Sequence, residues 1–150
     1  MNNKFSTLLK ISAVLWIIWG LVHMFAGAIT LYNVFGIDDI SKAIGGIADA
    51  VDATTLQMQY PAAVGGILGQ HAFNLFWFGL VTLIGAIYIW RESTLAIFIT
   101  AMVGGLADVG YFIFVDLGGY ANFVPGTVMT LVSASAIILS FIAHYKGKTA

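Results

Sequence analysis

The sequence contains no cysteine, and Asp, Glu, Lys and Arg together make up only 9% of its 150 positions. The absence of cysteine excludes disulfides, thiolate metal ligands and cysteine nucleophiles. A soluble domain carries about 25% charged residues, so this chain has too few to cover a water-exposed surface. Soluble enzymes and disordered chains are therefore excluded. The net charge of −1 leaves no basic surface for nucleic acid.

Apolar residues are abundant instead, at 60% of the chain, and they are concentrated in four long segments. About 20 apolar residues in a helix cross the ~30 Å hydrocarbon core of a bilayer. We therefore expect one transmembrane domain over 1–150, an all-α four-helix bundle with spans over about 11–32, 68–90, 95–115 and 125–145. The first apolar run continues past the small residues 26–28 to Val34, which favours a retained span over a cleaved secretory signal.

Basic residues predict the orientation of the bundle, because cytoplasmic loops are enriched in Lys and Arg. The side that holds both termini would carry Lys4, Lys10, Arg91, Lys146 and Lys148, whereas the opposite side would carry only Lys42. We therefore expect both termini in the cytoplasm (N-in/C-in). The expected partner is the lipid bilayer, and the expected location is the cytoplasmic (inner) membrane of a bacterium or archaeon.

The first outer loop has an amphipathic pattern over about 38–53. Apolar residues recur there at spacings of three and four, with aspartates and Lys42 between them: Ile37, Ile40, Ile44, Ile47 and Val51. This pattern predicts a helix that lies at the outer membrane surface. Such a helix is either a connector that seals one end of the bundle or a lid over an outward-facing site.

Two ionisable residues lie deep in predicted spans, where charge is costly and usually functional. His23 follows Lys10 by 13 residues, which places it about 20 Å above the inner boundary. Asp108 follows Leu95 by the same number and reaches the same depth. A lone carboxylate there is protonated or paired, so His23 is its predicted partner. The pair is either a functional site or a structural tie between the first and third spans.

Three further polar residues fall in the same outer half of the bundle. His71 and Asn74 lie one helical turn apart at the start of the second span, and Tyr111 lies one turn above Asp108, to which it could donate a hydrogen bond. The inner half is almost purely apolar. This asymmetry predicts a polar pocket that opens to the outside, rather than a continuous pore.

Several chemistries suit this set of residues. His23, His71 and Asp108 are enough to ligate one transition metal (Fe, Cu or Zn), with Asn74 and Tyr111 supporting the ligands. Alternatively, His23 and His71 are axial ligands of haem b, although residue counting separates the two histidines by about 10 Å in height. Without a metal, Asp108 and His23 would form a catalytic or carrier pair that handles a proton. The leading hypothesis is redox or small-ligand chemistry near the outer leaflet.

Two non-catalytic or transport alternatives remain open at this point. Small glycine-rich chains with four spans are often accessory subunits of larger membrane complexes, or they form homo-oligomers through their apolar faces. A proton-coupled small transporter or a lipid-modifying protein would also use a buried His/Asp pair. The Trp-Gly-x-x-His-x-x-x-Gly stretch that begins at Trp19 resembles small bacterial four-span proteins of unassigned function, and it assigns no role to any residue.

Overall fold

The computed structural model describes residues 3–147, and over that range the chain is helical with no strand. The helices are α1 (Asn3–Leu31), α2 (Ile40–Ile47), α3 (Ala53–Gln57), α4 (Ala62–Trp90), α5 (Thr94–Tyr111) and α6 (Val128–Gly147). With their adjoining turns, α1, α4, α5 and α6 are each long and apolar enough to cross a membrane. The predicted all-helical protein with four candidate membrane spans is therefore confirmed.

The four long helices form a ring in which α1 lies diagonally opposite α5. Helix α1 packs against α4 and α6, and α5 closes the ring between those two. Glycines allow the close approach of α1 and α4: a Cβ atom at Gly79 would lie 2.5 Å from the backbone oxygen of Gly20. Gly27, one turn beyond His23, meets the α4 backbone in the same way. Helix α4 therefore packs directly against the glycines of α1. This contact holds the α1 backbone that carries His23 close to α4.

Charge differs between the two ends of the bundle. The turn end, where Arg91–Ser93 joins α4 to α5, also holds Lys4, Lys10 and Lys146. The loop end, formed by residues 37–61 and 117–122, holds Lys42 and the aspartates 38, 39, 49 and 52. Lys148, which we counted with the turn end, lies outside the described residues. The cytoplasmic assignment of the turn end stays a prediction.

The amphipathic segment of the first loop is helical over a shorter range than the predicted 38–53. The carboxylate of Asp39 caps α2 by accepting from the backbone N–H of Lys42, and the helix ends at Ile47. Beyond that point the backbone bonds to the second loop instead: Ala50 N–H donates to the Tyr120 carbonyl at 3.0 Å. Since these bonds replace helical ones, the segment bends and α3 begins separately at Ala53.

Irregular helical turns are concentrated at the loop end. Wide π-turns extend α1 over Tyr32–Gly36 and α5 over Phe112–Asp116. A kinked turn over Phe123–Thr127, with extended backbone at Val124, leads into α6. Turns of the π type are frequent at functional sites, and here they surround the end of the bundle that holds the predicted polar residues.

Candidate functional site

A cavity of about 90 Å³ lies inside the loop end of the bundle. Its polar side chains come from three helices: His23 on α1, His71 on α4, and Asp108 and Tyr111 on α5. Helix α2 covers it with Gly46 and Ile47, and the start of the fourth span adds its remaining wall. Four of the five predicted site residues therefore line one cavity.

The His23 ring is held in one orientation by Trp19, four residues earlier on α1. The two rings stack with a centroid distance of 3.6 Å and an interplanar angle of 18°. His23 Nδ1 lies 2.8 Å from the backbone oxygen of Trp19. Because a carbonyl oxygen only accepts hydrogen bonds, Nδ1 must carry a proton. In the neutral ring, Nε2 is then an unprotonated acceptor.

That acceptor faces the carboxylate of Asp108. His23 Nε2 and Asp108 Oδ1 are 3.8 Å apart, beyond the ~3.2 Å limit of an ordinary N–H···O hydrogen bond. Asp108 is buried, with 4% of its surface exposed. A neutral imidazole nitrogen and an ionised carboxylate both accept and neither donates. A direct hydrogen bond between these two atoms therefore requires a proton on one of them.

Trp19 also binds the other carboxylate oxygen of the pair. Its indole Nε1–H donates to Asp108 Oδ2 at 2.7 Å, across the centre of the bundle from α1 to α5. One buried residue thus orients both the imidazole and the carboxylate. Sequence reasoning missed Trp19, although two signals were available: its spacing of four from His23, and an indole donor that needs a partner in apolar surroundings.

His71 and Tyr111 line the same cavity but make different contacts from those predicted. The Nε2 atom of His71 is buried and has no hydrogen-bond partner among the described residues. The Tyr111 hydroxyl does not bond Asp108; it donates to the Ile47 carbonyl at 3.3 Å and so ties α5 to the last residue of α2. The hydrogen bond to Asp108 that was predicted for Tyr111 is donated by Trp19 on α1 instead.

Asn74 is the one predicted site residue that is absent from the cavity lining of the described chain. Its side-chain oxygen accepts a hydrogen bond from Trp77 Nε1 at 3.1 Å, within α4. This local bond satisfies the amide oxygen without any partner on another helix. The supporting role predicted for Asn74 therefore has no contact in its favour.

The size of the cavity and the spacing of its His and Asp side chains bear on the metal and haem hypotheses. Within residues 3–147, no three His, Asp or Glu side chains are grouped closely enough to hold one ion. Haem does not fit, because a cavity of about 90 Å³ is far smaller than the 300–1,000 Å³ typical of pockets for larger ligands. His23 Nε2, the atom that would bind iron, faces a carboxylate instead. We therefore derive no chemistry through either group.

Comparisons with protein-family models, curated proteins and solved structures find no match for this chain.

Proposed function

We propose that this chain is an integral membrane protein that binds a proton and a small polar ligand at an outward-facing site formed by His23 and Asp108. One observation carries the proposal: His23 Nε2 and Asp108 Oδ1 face each other at 3.8 Å beside a cavity, without a direct hydrogen bond between them. A purely structural tie would close as a direct hydrogen bond. Here the donor must come from outside the pair, either as a proton or as part of a ligand.

The outward orientation is part of the proposal, and the positive-inside rule supports it. The cavity lies at the acidic loop end, opposite the turn end that collects most of the basic residues. Since the chain has no cysteine, single-cysteine variants Asp52→Cys and Glu92→Cys test this directly in intact cells. A membrane-impermeant maleimide should label the first and spare the second. The reverse pattern would contradict the orientation.

The accessory-subunit and oligomer hypotheses have no specific observation in their favour. Many large apolar side chains are exposed along the helices, Phe25 and Leu106 among them. Lipid covers such surfaces as readily as another protein does. The buried pair and its cavity, by contrast, favour a site that acts within this chain.

Proton binding at the pair can be followed through the fluorescence of Trp19, which stacks directly on His23. In a background where Trp19 is the only tryptophan, its emission should change with pH as the imidazole gains charge. His23→Gln should abolish this change, and Asp108→Asn should move its midpoint. A background that keeps only the half-exposed Trp90 is the control. A flat trace for Trp19 would contradict the proposal.

A further inference from the structure

Most residues that line the cavity are apolar, and its few polar groups offer mainly hydrogen-bond acceptors. The Tyr111 hydroxyl donates to the Ile47 carbonyl, and His23 Nδ1–H donates to the Trp19 carbonyl. What remains is the Nε2 lone pair of His23, Oδ1 of Asp108 and the phenolic oxygen of Tyr111, since Asp108 Oδ2 already accepts from Trp19. None of the described lining residues is a lysine or an arginine. The walls therefore favour a ligand that donates several hydrogen bonds and carries positive charge.

A second buried group adds an acceptor to the cavity when its ring proton is on Nδ1. His71 Nε2 lies in the cavity wall with no partner among the described residues. A buried polar atom without a partner costs free energy, and a donor placed in the cavity would relieve that cost.

The size of the cavity limits the ligand. A cavity of about 150 Å³ holds benzene, and a water molecule occupies ~30 Å³ of liquid volume. The observed cavity of about 90 Å³ is smaller than the benzene site and has room for roughly three waters. An ammonium ion, or the ammonium end of a primary amine, fits this space.

The entrance to the cavity joins an apolar groove and lies at the acidic end of the bundle. Val22, Ala26 and Gly46 line both the cavity and an apolar groove on the outer face of α1. Apart from the backbone of α2 itself and the adjoining residues, nothing in the described chain lies within 4 Å of the position that a Cβ would take at Gly46, so the entrance is open there. The surrounding loop end carries mostly aspartates, which raise the local concentration of cations.

We propose that the cavity binds an N–H-bearing ammonium group, which donates to His23 Nε2 and Asp108 between α1 and α5. This inference rests on the proposed outward-facing site and names its ligand class. The group belongs either to a small free amine or to the ethanolamine headgroup of a phospholipid that reaches the entrance along the α1 groove.

The test uses the full chain in phosphatidylcholine nanodiscs and follows the ¹⁵N signals of His23. Methylammonium chloride should shift these signals saturably, and tetramethylammonium, which has the same charge but no N–H, should not. Asp108→Asn should weaken binding roughly tenfold or more, since it removes a charge-assisted contact. Gly46→Leu, which fills the entrance without touching the pair, should also abolish the shift, whereas Gly66→Leu, at another open position, should not.

Nanodiscs that contain phosphatidylethanolamine identify the source of the amine. A shift caused by this lipid alone supports the ammonium site and assigns the headgroup as ligand. A shift caused only by methylammonium supports the site with a free amine. The inference is overturned if neither phosphatidylethanolamine nor methylammonium changes the spectrum. Methylammonium is tested up to about 100 mM, because a dissociation constant of that size corresponds to a binding free energy of only ~1.4 kcal/mol. The proposed function would survive that result if Trp19 fluorescence still reported a proton at the pair.

Discussion

The hydrogen bond from Trp19 to Asp108 can be isolated by comparing two tryptophans of the same helix. Trp16 and Trp19 are both fully buried. The Nε1 of Trp19 donates to the Asp108 carboxylate at 2.7 Å, whereas the Nε1 of Trp16 has no partner in the described structure. Replacing either by phenylalanine removes the same ring volume, and a phenyl ring at position 19 would keep the stack on His23. Only the variant at position 19 loses a hydrogen bond.

The expected difference follows from the charge on the acceptor. Hydrogen bonds to charged groups contribute about 1.5–3 kcal/mol. Trp19→Phe should therefore lower the free energy of unfolding by at least roughly 1.5–3 kcal/mol more than Trp16→Phe does, because Trp16→Phe also removes a buried N–H that has no partner among the described residues. This corresponds to a difference of about tenfold to more than a hundredfold in the unfolding equilibrium. Reversible unfolding in mixed micelles with SDS, followed by circular dichroism, measures both variants under the same conditions.

A double-mutant cycle assigns this cost to the bond. With Asp108→Asn in the background, the acceptor loses its charge, and the excess cost of Trp19→Phe should fall. Equal costs for the two tryptophan variants would refute the reasoning. The reasoning would also be refuted if the excess loss of unfolding free energy in Trp19→Phe were unchanged when Asp108 is replaced. In that case the hydrogen bond to the carboxylate would contribute nothing to the excess.

Contacts away from the pair give three further expectations. Gly79→Ala should lower the free energy of unfolding by about 1–3 kcal/mol in the same assay, because its methyl group would lie 2.5 Å from an α1 carbonyl oxygen. Gly66→Ala is the control: its methyl group would meet no described atom of another element within 4 Å, so this variant should be neutral or stabilising. Tyr111→Phe should speed amide exchange in α2 because it removes the bond to the last carbonyl of that helix; unchanged exchange would count against this contact. Hydrogen bonds from Thr55 lower the pKa of Asp52 below 3.8, so the α3 cap should persist above that pH and be lost as the pH falls through the lower pKa. The amide NMR shift of Thr55 should report a midpoint below 3.8, and a midpoint at or above it would contradict the cap.

The four candidate spans and the equal height of His23 and Asp108 could be predicted from the sequence because each depends on distance along one helix. The rise per residue is fixed, so equal counts from the boundary place His23 and Asp108 at the same height. How far each helix rotates about its axis depends on its neighbours. The glycine contacts of α1 with α4 set this rotation, and they bring Trp19 toward α5.

The shape of the first loop could not be predicted for a related reason. Its apolar spacing predicts one helix over 38–53, and although Gly45 and Gly46 weaken that helix in the middle, they do not specify a bend after Ile47. The bend depends on bonds to a distant segment: Asp49 Oδ1 accepts from the backbone N–H of Asn122 at 2.7 Å. In the same way, the bond of Asn74 to Trp77 competes with the role that its depth suggested.

The central claim is that His23 and Asp108 face each other as two acceptors, and the tautomer of neutral His23 tests it most directly. The ¹⁵N spectrum of histidine-labelled protein in bilayers, assigned with His71→Gln and His144→Gln, distinguishes the two ring nitrogens. We expect a protonated Nδ1 and an unprotonated Nε2. A proton on Nε2, donated to Asp108, would make the pair a closed structural tie and would contradict the account.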